Sequence, residues 1–95
     1  MILVFDVGNT ETTVGLFEGA ELRGHWRLST DPSRTTDEIG LVLRGLLHAA
    51  GHPSSVVTGA AVGSVVPAVT PTFVDAADGL HGVTNGSLTL VAEPA

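Results

Sequence analysis

The residues best suited to bind a ligand lie close together near the amino terminus. Asp6, Gly8 and Asn9 follow a short apolar run, and threonines come directly afterwards at positions 10, 12 and 13. Gly8 has no Cβ, so it lets the backbone approach a bound group closely. Successive N–H groups of a turn can converge on phosphate oxygens, and a carboxylate at a strand end can hold hydrated Mg²⁺. The pattern therefore predicts a site for a phosphate-bearing anion.

The same segment has a second interpretation, in which Asp6 and Asn9 only shape a β-hairpin turn. It is not a Walker loop, because the chain contains no lysine and a strand rather than a helix is expected to follow. The dinucleotide-binding pattern is excluded for the same reason, since it also leads into a helix. The residues alone leave both the turn and the phosphate interpretation open.

Composition limits the partners that the chain can have. The net charge is −6, with ten acidic residues against four arginines, which argues against nucleic acid and anionic membranes. A bound phosphate must therefore rely on backbone N–H groups, hydroxyls and a metal ion. The absence of cysteine excludes disulfides and cysteine-based zinc sites, and the four histidines are scattered. No apolar run approaches the ~20 residues of a membrane span, and no basic segment precedes the first apolar run, so we expect a cytoplasmic protein.

The first third of the chain predicts a three-strand antiparallel meander. Short runs of apolar and β-branched residues indicate strands over residues 1–7, 11–17 and 22–28. Gly19 is expected to supply a positive φ in the hairpin loop between the second and third strands. Alternation in the third strand predicts one buried face. That face would carry Leu22, Gly24, Trp26 and Leu28.

A helix is indicated directly after the meander. Thr35 and Glu38 have the spacing of a capping box, and Gly51 followed by Pro53 predicts the end of the helix. Apolar residues recur between them at helical spacing. They are Ile39, Val42, Leu43, Leu46, Leu47 and Ala50.

The rest of the chain alternates strand and helix. We predict a strand over 55–62, a helix from Val66 to about Leu80, and a strand over 87–91. The resulting order, β-β-β-α-β-α-β, implies an α/β fold with a mixed sheet and helices on its faces. The chain stops at residue 95, just after a strand, where such a fold normally adds a covering helix. We therefore expect a truncated lobe.

Three separate segments resemble the type III pantothenate kinases, within the actin, Hsp70 and sugar-kinase superfamily. Residues 6–10 are similar to the first phosphate motif of that superfamily, which is followed by a β-hairpin. Residues 26–32 with 34–38 are similar to the family's strand-to-helix segment, and residues 64–67 with Thr70 to its fourth-strand exit. The similarity covers roughly residues 1–75, in the same order as in the family.

The resemblance implies an actin-like ATPase (ribonuclease H-like) fold, with residues 1–95 forming the amino-terminal lobe of a two-lobed kinase whose second lobe is absent from this chain. It also implies ATP-dependent phosphorylation of pantothenate to 4′-phosphopantothenate, the first step of coenzyme A biosynthesis. The implied cofactors are ATP, Mg²⁺ and a monovalent cation, K⁺ or NH₄⁺, and the implied assembly is a homodimer.

The resemblance also assigns roles to residues. Eight of them would line the ATP phosphates, with Asp6 nearest the metal: Asp6, Val7, Gly8, Asn9, Thr10, Glu11, Thr12 and Thr13. The family's Gly-Ala-Asp-Arg segment, which carries the general base, does not occur in residues 1–95. The cation site and the second phosphate motif would also lie further on. The isolated chain is therefore expected to hold half an active site and to be inactive.

Glu11 departs from the family pattern, which has a neutral polar residue there. Pointing inward, its carboxylate would repel phosphate or help to bind the metal; pointing outward, it would do neither. We favour the outward orientation, because charged strand residues usually face solvent. A non-catalytic regulatory or interaction protein of the same fold is the alternative function, and a kinase acting on sugars is a third.

Overall fold

The computed structural model describes residues 1–81 and the backbone of residues 88–92. The predicted α/β order is confirmed, with one additional 3₁₀ turn after the first helix. The elements are β1 (Ile2–Val7), β2 (Glu11–Glu18), β3 (Glu21–Ser29), α1 (Thr36–Ala49), the 3₁₀ turn Ser54–Val56, β4 (Gly59–Ser64), α2 (Thr70–His81) and β5 (Leu88–Ala92).

The strands form one mixed sheet in the order β3-β2-β1-β4-β5. β1 pairs antiparallel with β2 and parallel with β4, and β4 pairs parallel with β5. The carboxyl ends of the three parallel strands therefore lie at one edge of the sheet. Ligands of open α/β sheets bind at such an edge. The β1–β2 turn, which carries the predicted phosphate site, lies at the same edge.

Both helices pack on one side of the sheet, which we call the covered face. Leu3, Phe5 and Val7 alternate toward that face and are buried against α1 and α2. The rings of Phe5 and Phe73 lie 5.7 Å apart between their centroids. The opposite side, which we call the open face, carries Ile2, Val4, Asp6, Thr13, Gly15 and Phe17. Ile2 and Val4 are exposed there, although both are apolar.

The capping box of α1 is present as predicted. The Thr35 hydroxyl accepts from the Glu38 N–H at 3.1 Å, and the Glu38 carboxylate accepts from the Thr35 N–H at 3.0 Å. Gly51 has a φ of 85° beyond the last turn, where glycine is favoured. Three residues of the predicted apolar stripe are buried: Ile39, Leu43 and Leu47. Neither helix of the described ranges has the length and hydropathy needed to cross a membrane.

The predicted strand over 55–62 is misplaced, because it begins four residues later than expected, at Gly59, and continues to Ser64. Ser54–Val56 forms a 3₁₀ turn instead, closed by hydrogen bonds to Pro53 and Ser54 carbonyls. The last residue of this turn is bonded to the amino terminus: the Met1 ammonium group donates to the Val56 carbonyl at 2.6 Å. Backbone groups before β4 are therefore hydrogen-bonded within the turn and to the amino terminus rather than to a neighbouring strand.

The predicted start of α2 at Val66 is also wrong, since the helix begins at Thr70. The Ser64 hydroxyl accepts from the Val66 N–H at 3.0 Å, and the Val69 N–H donates to the Val66 carbonyl at 3.0 Å. These bonds form a turn that leads from β4 into the helix. Side-chain bonds of serine commonly replace helical ones in this way.

One residue of β3 lies on the opposite face from the one predicted. Leu16 pairs with Gly24 but Phe17 pairs with Leu22, so Arg23 is an extra residue in a β-bulge. The bulge turns Leu22 to the open face, where it is 49% exposed. Trp26 and Leu28 pack against the core as predicted.

Candidate phosphate-binding site

The site is built on the tight turn that joins β1 to β2. The Gly8 N–H donates to the Glu11 carbonyl at 2.9 Å and closes the turn around Asn9 and Thr10. A Cβ on Gly8 would lie 2.9 Å from that same carbonyl oxygen, closer than real Cβ contacts. The turn itself therefore requires glycine at position 8, in addition to any close approach of a ligand.

The tip of the turn presents unpaired donors. Asn9 and Thr10 are exposed, and within residues 1–81 and 88–92 their N–H groups donate to no protein acceptor. The Thr10 carbonyl accepts a hydrogen bond from the Thr30 N–H, so the described residues occupy an acceptor at the tip and leave its two N–H groups free. Adjacent free N–H groups in a turn form a concavity that favours anions.

Asp6 supplies the carboxylate of the site. It is exposed on the open face and lies opposite Thr13 of β2 on one side and Gly63 of β4 on the other. Thr13 is also exposed, so a carboxylate and a hydroxyl stand side by side next to the turn. No group of three or more potential metal ligands occurs among the described residues. One carboxylate nevertheless fits Mg²⁺, which keeps several waters and takes other ligands from substrate phosphates.

Two of the eight predicted residues point away from this carboxylate. Val7 and Thr12 are fully buried on the covered face, so only their backbone groups could contact a ligand at the turn. The Thr12 hydroxyl lies 2.8 Å from the Thr30 hydroxyl. The other six have an exposed or half-buried surface at the turn or on the open face: Asp6, Gly8, Asn9, Thr10, Glu11 and Thr13.

Glu11 is exposed and paired with a neighbouring strand. Its Oε1 lies 3.7 Å from Nη1 of Arg27, and both side chains are more than half exposed. Glu11 faces solvent, but strand alternation places it on the open face together with Thr13 and Asp6, so the expectation that it takes no part at the site stays a prediction. Exposed pairs of this kind contribute at most about 1 kcal/mol.

Two contacts that the sequence did not indicate fix the turn from both sides. The Thr30 N–H donates to the Thr10 carbonyl at 2.9 Å, and the Val65 N–H donates to the Val7 carbonyl at 3.0 Å. Thr30 follows β3 and Val65 follows β4, so both contacts link segments distant in the sequence. The segments that hold them were recognisable by their resemblance to the family, but no local pattern revealed the contacts.

Two carboxylates, one in the loop from β3 to α1 and one in the first turn of α1, have lowered pKa values. The hydroxyl and the N–H of Ser33 donate to Asp31 and lower its pKa. The backbone N–H of Thr35 donates to Glu38 and lowers the pKa of that carboxyl. Both carboxylates are thus used to order the loop that carries Thr30.

A pocket of about 350 Å³ opens on the open face beside the turn. It is lined by Val4, Asp6, Thr13, Gly15, Phe17, Leu22 and His25. Its walls are mainly apolar, which does not suit a triphosphate. Only the end formed by Asp6 and Thr13 is shared with the turn, and we place the phosphate site at the turn rather than in the pocket.

Comparison with known proteins identifies a family and individual relatives of this chain. The family model of type III pantothenate kinases matches residues 2–92. A type III pantothenate kinase of Anaeromyxobacter sp. is 51% identical over 67 residues, covering 70% of this chain and 26% of that protein. Type III pantothenate kinase 2 of Symbiobacterium thermophilum is 47% identical over 73 residues, covering 77% of this chain and 28% of that protein. The chain therefore spans little more than a quarter of these curated relatives.

Solved structures show the same fold. A protein of Porphyromonas gingivalis assigned as an N-acetylglucosamine kinase superposes with a TM-score of 0.68 at 24% identity, over 98% of this chain and 34% of that one. The ROK hexokinase of Thermus thermophilus superposes with a TM-score of 0.61 at 15% identity, over 97% and 33%. These likenesses confirm the kinase-type fold expected for the lobe. The family match over residues 2–92 shows that the chain belongs to the type III pantothenate kinase family.

Proposed function

We propose that residues 1–95 form the amino-terminal lobe of an enzyme that transfers the γ-phosphoryl group of ATP to pantothenate, and that they supply its first phosphate-binding loop. The observation that carries this proposal is the β1–β2 turn, where free N–H groups lie next to the Asp6 carboxylate at the carboxyl edge of the sheet. The choice of pantothenate as acceptor is supported by the names of the relatives. The product would be 4′-phosphopantothenate, which enters coenzyme A synthesis.

In this proposal the turn positions the nucleotide. The N–H groups of Asn9 and Thr10 donate to phosphate oxygens, and the hydroxyls of Thr10 and Thr13 add donors from the exposed side. Such fixed donors stabilise charge during phosphoryl transfer without reorganising. The chain contains no lysine, so these neutral donors have to act together with a metal ion.

Asp6 is the residue that would hold Mg²⁺, through waters of the ion or directly. When bound, Mg²⁺ neutralises charge on the transferred group. The general base, the K⁺ or NH₄⁺ site and the second lobe would be supplied by residues outside 1–95. A homodimer in the cytoplasm completes the proposal, by analogy with the family.

The alternative of a non-catalytic relative receives less support from the site. Two features favoured it: the expected truncation, and a Glu11 carboxylate that could repel a triphosphate. Glu11 instead pairs with Arg27 at the surface, and this partly neutralises its charge. The remaining exposed groups at the turn are neutral donors and Asp6.

The proposal is tested with the full-length protein that carries this chain. We expect 4′-phosphopantothenate, identified by mass spectrometry, when the protein is supplied with ATP, Mg²⁺ and pantothenate. Glucose and N-acetylglucosamine are the control acceptors and should give no product. The 95-residue chain alone should give none with any acceptor, because proximity and acid–base contributions are lost together. Phosphorylation of a sugar alone would overturn the choice of acceptor, and turnover by the isolated chain would overturn the half-site.

A further inference from the structure

Next to the turn, the hydroxyl of a buried threonine is paired with that of a half-buried one, and this pair has no role in the function described so far. Thr12 is fully buried, and its Oγ1 lies 2.8 Å from Oγ1 of Thr30. Thr30 makes a second contact with the turn itself, because its N–H donates to the Thr10 carbonyl at 2.9 Å. One residue of the β3–α1 loop therefore holds both ends of the segment 10–12, through its backbone and through its side chain.

Burial determines which hydroxyl donates. Each threonine hydroxyl has one proton, and a buried proton needs an acceptor. Among the described residues the Thr12 hydroxyl has Thr30 as its hydrogen-bond partner, whereas Thr30 is half-buried and can donate to water. The arrangement that satisfies both groups has Thr12 donating to Thr30.

The contact is anchored in an ordered part of the fold. Asp31 accepts two hydrogen bonds from Ser33 directly after Thr30, at 2.9 and 2.7 Å. The capping box of α1 follows at Thr35. The loop is therefore tied to the helix on one side and to the turn on the other, so it can transmit rigidity from the core to the turn.

We propose that Thr12 and Thr30 are positioning residues, which act as a clamp on the phosphate turn and do not contact the phosphates through their side chains. The clamp fixes where the Asn9 and Thr10 N–H groups point. Small displacements of positioned groups cost a disproportionate part of the rate or affinity. The proposal rests on the proposed nucleotide-binding function of the turn, and it gives Thr12 a role different from direct phosphate contact.

The test uses four variants of the full-length protein: Thr12→Val, Thr30→Val, the double variant and Thr12→Ser. Valine keeps the shape and removes the hydroxyl. We expect kcat/KM for MgATP to fall roughly fivefold to tenfold in the first three, the effect of about one hydrogen bond. KM for pantothenate should stay unchanged, and Thr12→Ser should restore most of the loss. The control is Thr58→Val, which removes a threonine hydroxyl bonded to the Met1 carbonyl, at the other end of β1.

The Tm values of the same variants show whether Thr12 and Thr30 position the turn or only stabilise the fold. Thr30→Val leaves the buried Thr12 hydroxyl without an acceptor, so its Tm should fall more than that of Thr12→Val. The double variant should recover Tm relative to Thr30→Val and keep the full loss in kcat/KM for MgATP. If the kinetic loss follows Tm across the variants, or if the Thr12→Val variant retains wild-type kinetics, the clamp is refuted.

A measurement of nucleotide affinity tests the clamp separately from the proposed pantothenate kinase activity. MgATP binding is measured by calorimetry on the same variants, without any acceptor. A wild-type protein that binds MgATP but does not phosphorylate pantothenate would contradict the proposed acceptor and still allow the clamp to be tested. Equal MgATP affinity in wild type, Thr12→Val and Thr30→Val would refute the clamp even if pantothenate is phosphorylated.

Discussion

The meander contains two hairpin turns of similar composition that are held in different ways. The first, between β1 and β2, contains Gly8, and distant segments bond to it from both sides. The second, between β2 and β3, contains Gly19 with a φ of 59°, and the ion pairs beside it are local and exposed, from Arg23 to Glu18 and Glu21. In the first turn, glycine is required because a Cβ would lie too close to the Glu11 carbonyl oxygen. In the second, glycine is favoured because the backbone has a positive φ.

The difference separates a turn that can position a ligand from one that only reverses the chain. A site must be held by groups that are themselves fixed. The first turn meets that condition through Thr30 and Val65, whereas nothing lies within 4 Å of a Cβ placed on Gly19. Turn composition alone could not distinguish the two, since both consist of glycine with polar neighbours.

The largest expected contrast concerns carboxylates next to each turn. Asp6→Asn in the full-length protein should lower kcat about 10²-fold or more, equivalent to about 2.7 kcal/mol, because it removes the charge that we propose holds Mg²⁺. Glu18→Gln, the matched change at the second turn, should leave kcat unchanged. Tm should be nearly the same in both variants. Wild-type turnover in Asp6→Asn would end the interpretation of the first turn as a phosphate site.

The two glycines offer a second contrast. Gly8→Ala places a methyl group against the Glu11 carbonyl oxygen and should destabilise the fold by about 2 kcal/mol, in the range of overpacking. Gly19→Ala meets no atom and should cost only the left-handed backbone conformation, about 1 kcal/mol. Urea unfolding measures both. MgATP binding should be lost or weakened only in Gly8→Ala; equal binding in the two variants would show that the first turn tolerates distortion.

The third contrast concerns the open face, to which the second hairpin contributes Leu22. Ile2, Val4 and Leu22 are apolar and between 36% and 49% exposed there. Contiguous apolar surface promotes association. The 95-residue chain should therefore self-associate with rising concentration in sedimentation experiments, and the Val4→Thr, Leu22→Thr double variant should do so less. Leu41→Thr is the control, since Leu41 is 72% exposed on α1. A wild-type chain that stays monomeric at high concentration would contradict this.

The smallest effect is expected for the ion pairs of the second hairpin. Arg23 lies 3.6 Å from both Glu18 and Glu21, but all three side chains are more than a third exposed. Arg23→Gln should change the free energy of unfolding by less than about 1 kcal/mol. Addition of salt should reduce even that difference. A larger change, insensitive to salt, would mean that the second turn depends on its charges more than the geometry indicates.

Sequence reasoning succeeded where the signals are local. The capping box at Thr35, the glycine after α1 and the order of the elements follow from patterns within a few residues. It failed where hydrogen bonds between segments distant in the sequence determine the local structure. The 3₁₀ turn before β4 is held against the amino terminus, and the Thr30–Thr10 contact joins segments 20 residues apart in the numbering. The residues of the candidate site lie at one turn and in its two strands, and their role in binding stays a prediction. The opposite orientations of Asp6 and Thr12 required the strand register.

The bulge at Arg23 has a consequence for how this sheet tolerates insertions and deletions. Near Thr30, β3 must stay in register with β2 so that Leu28 lies opposite Thr12. Beyond the bulge, the pairing of Leu22 with Phe17 follows a different alternation. We therefore expect the bulge at Arg23 to accommodate changes of length in the second hairpin. The end of β3 that supports the first turn would then keep its register with β2.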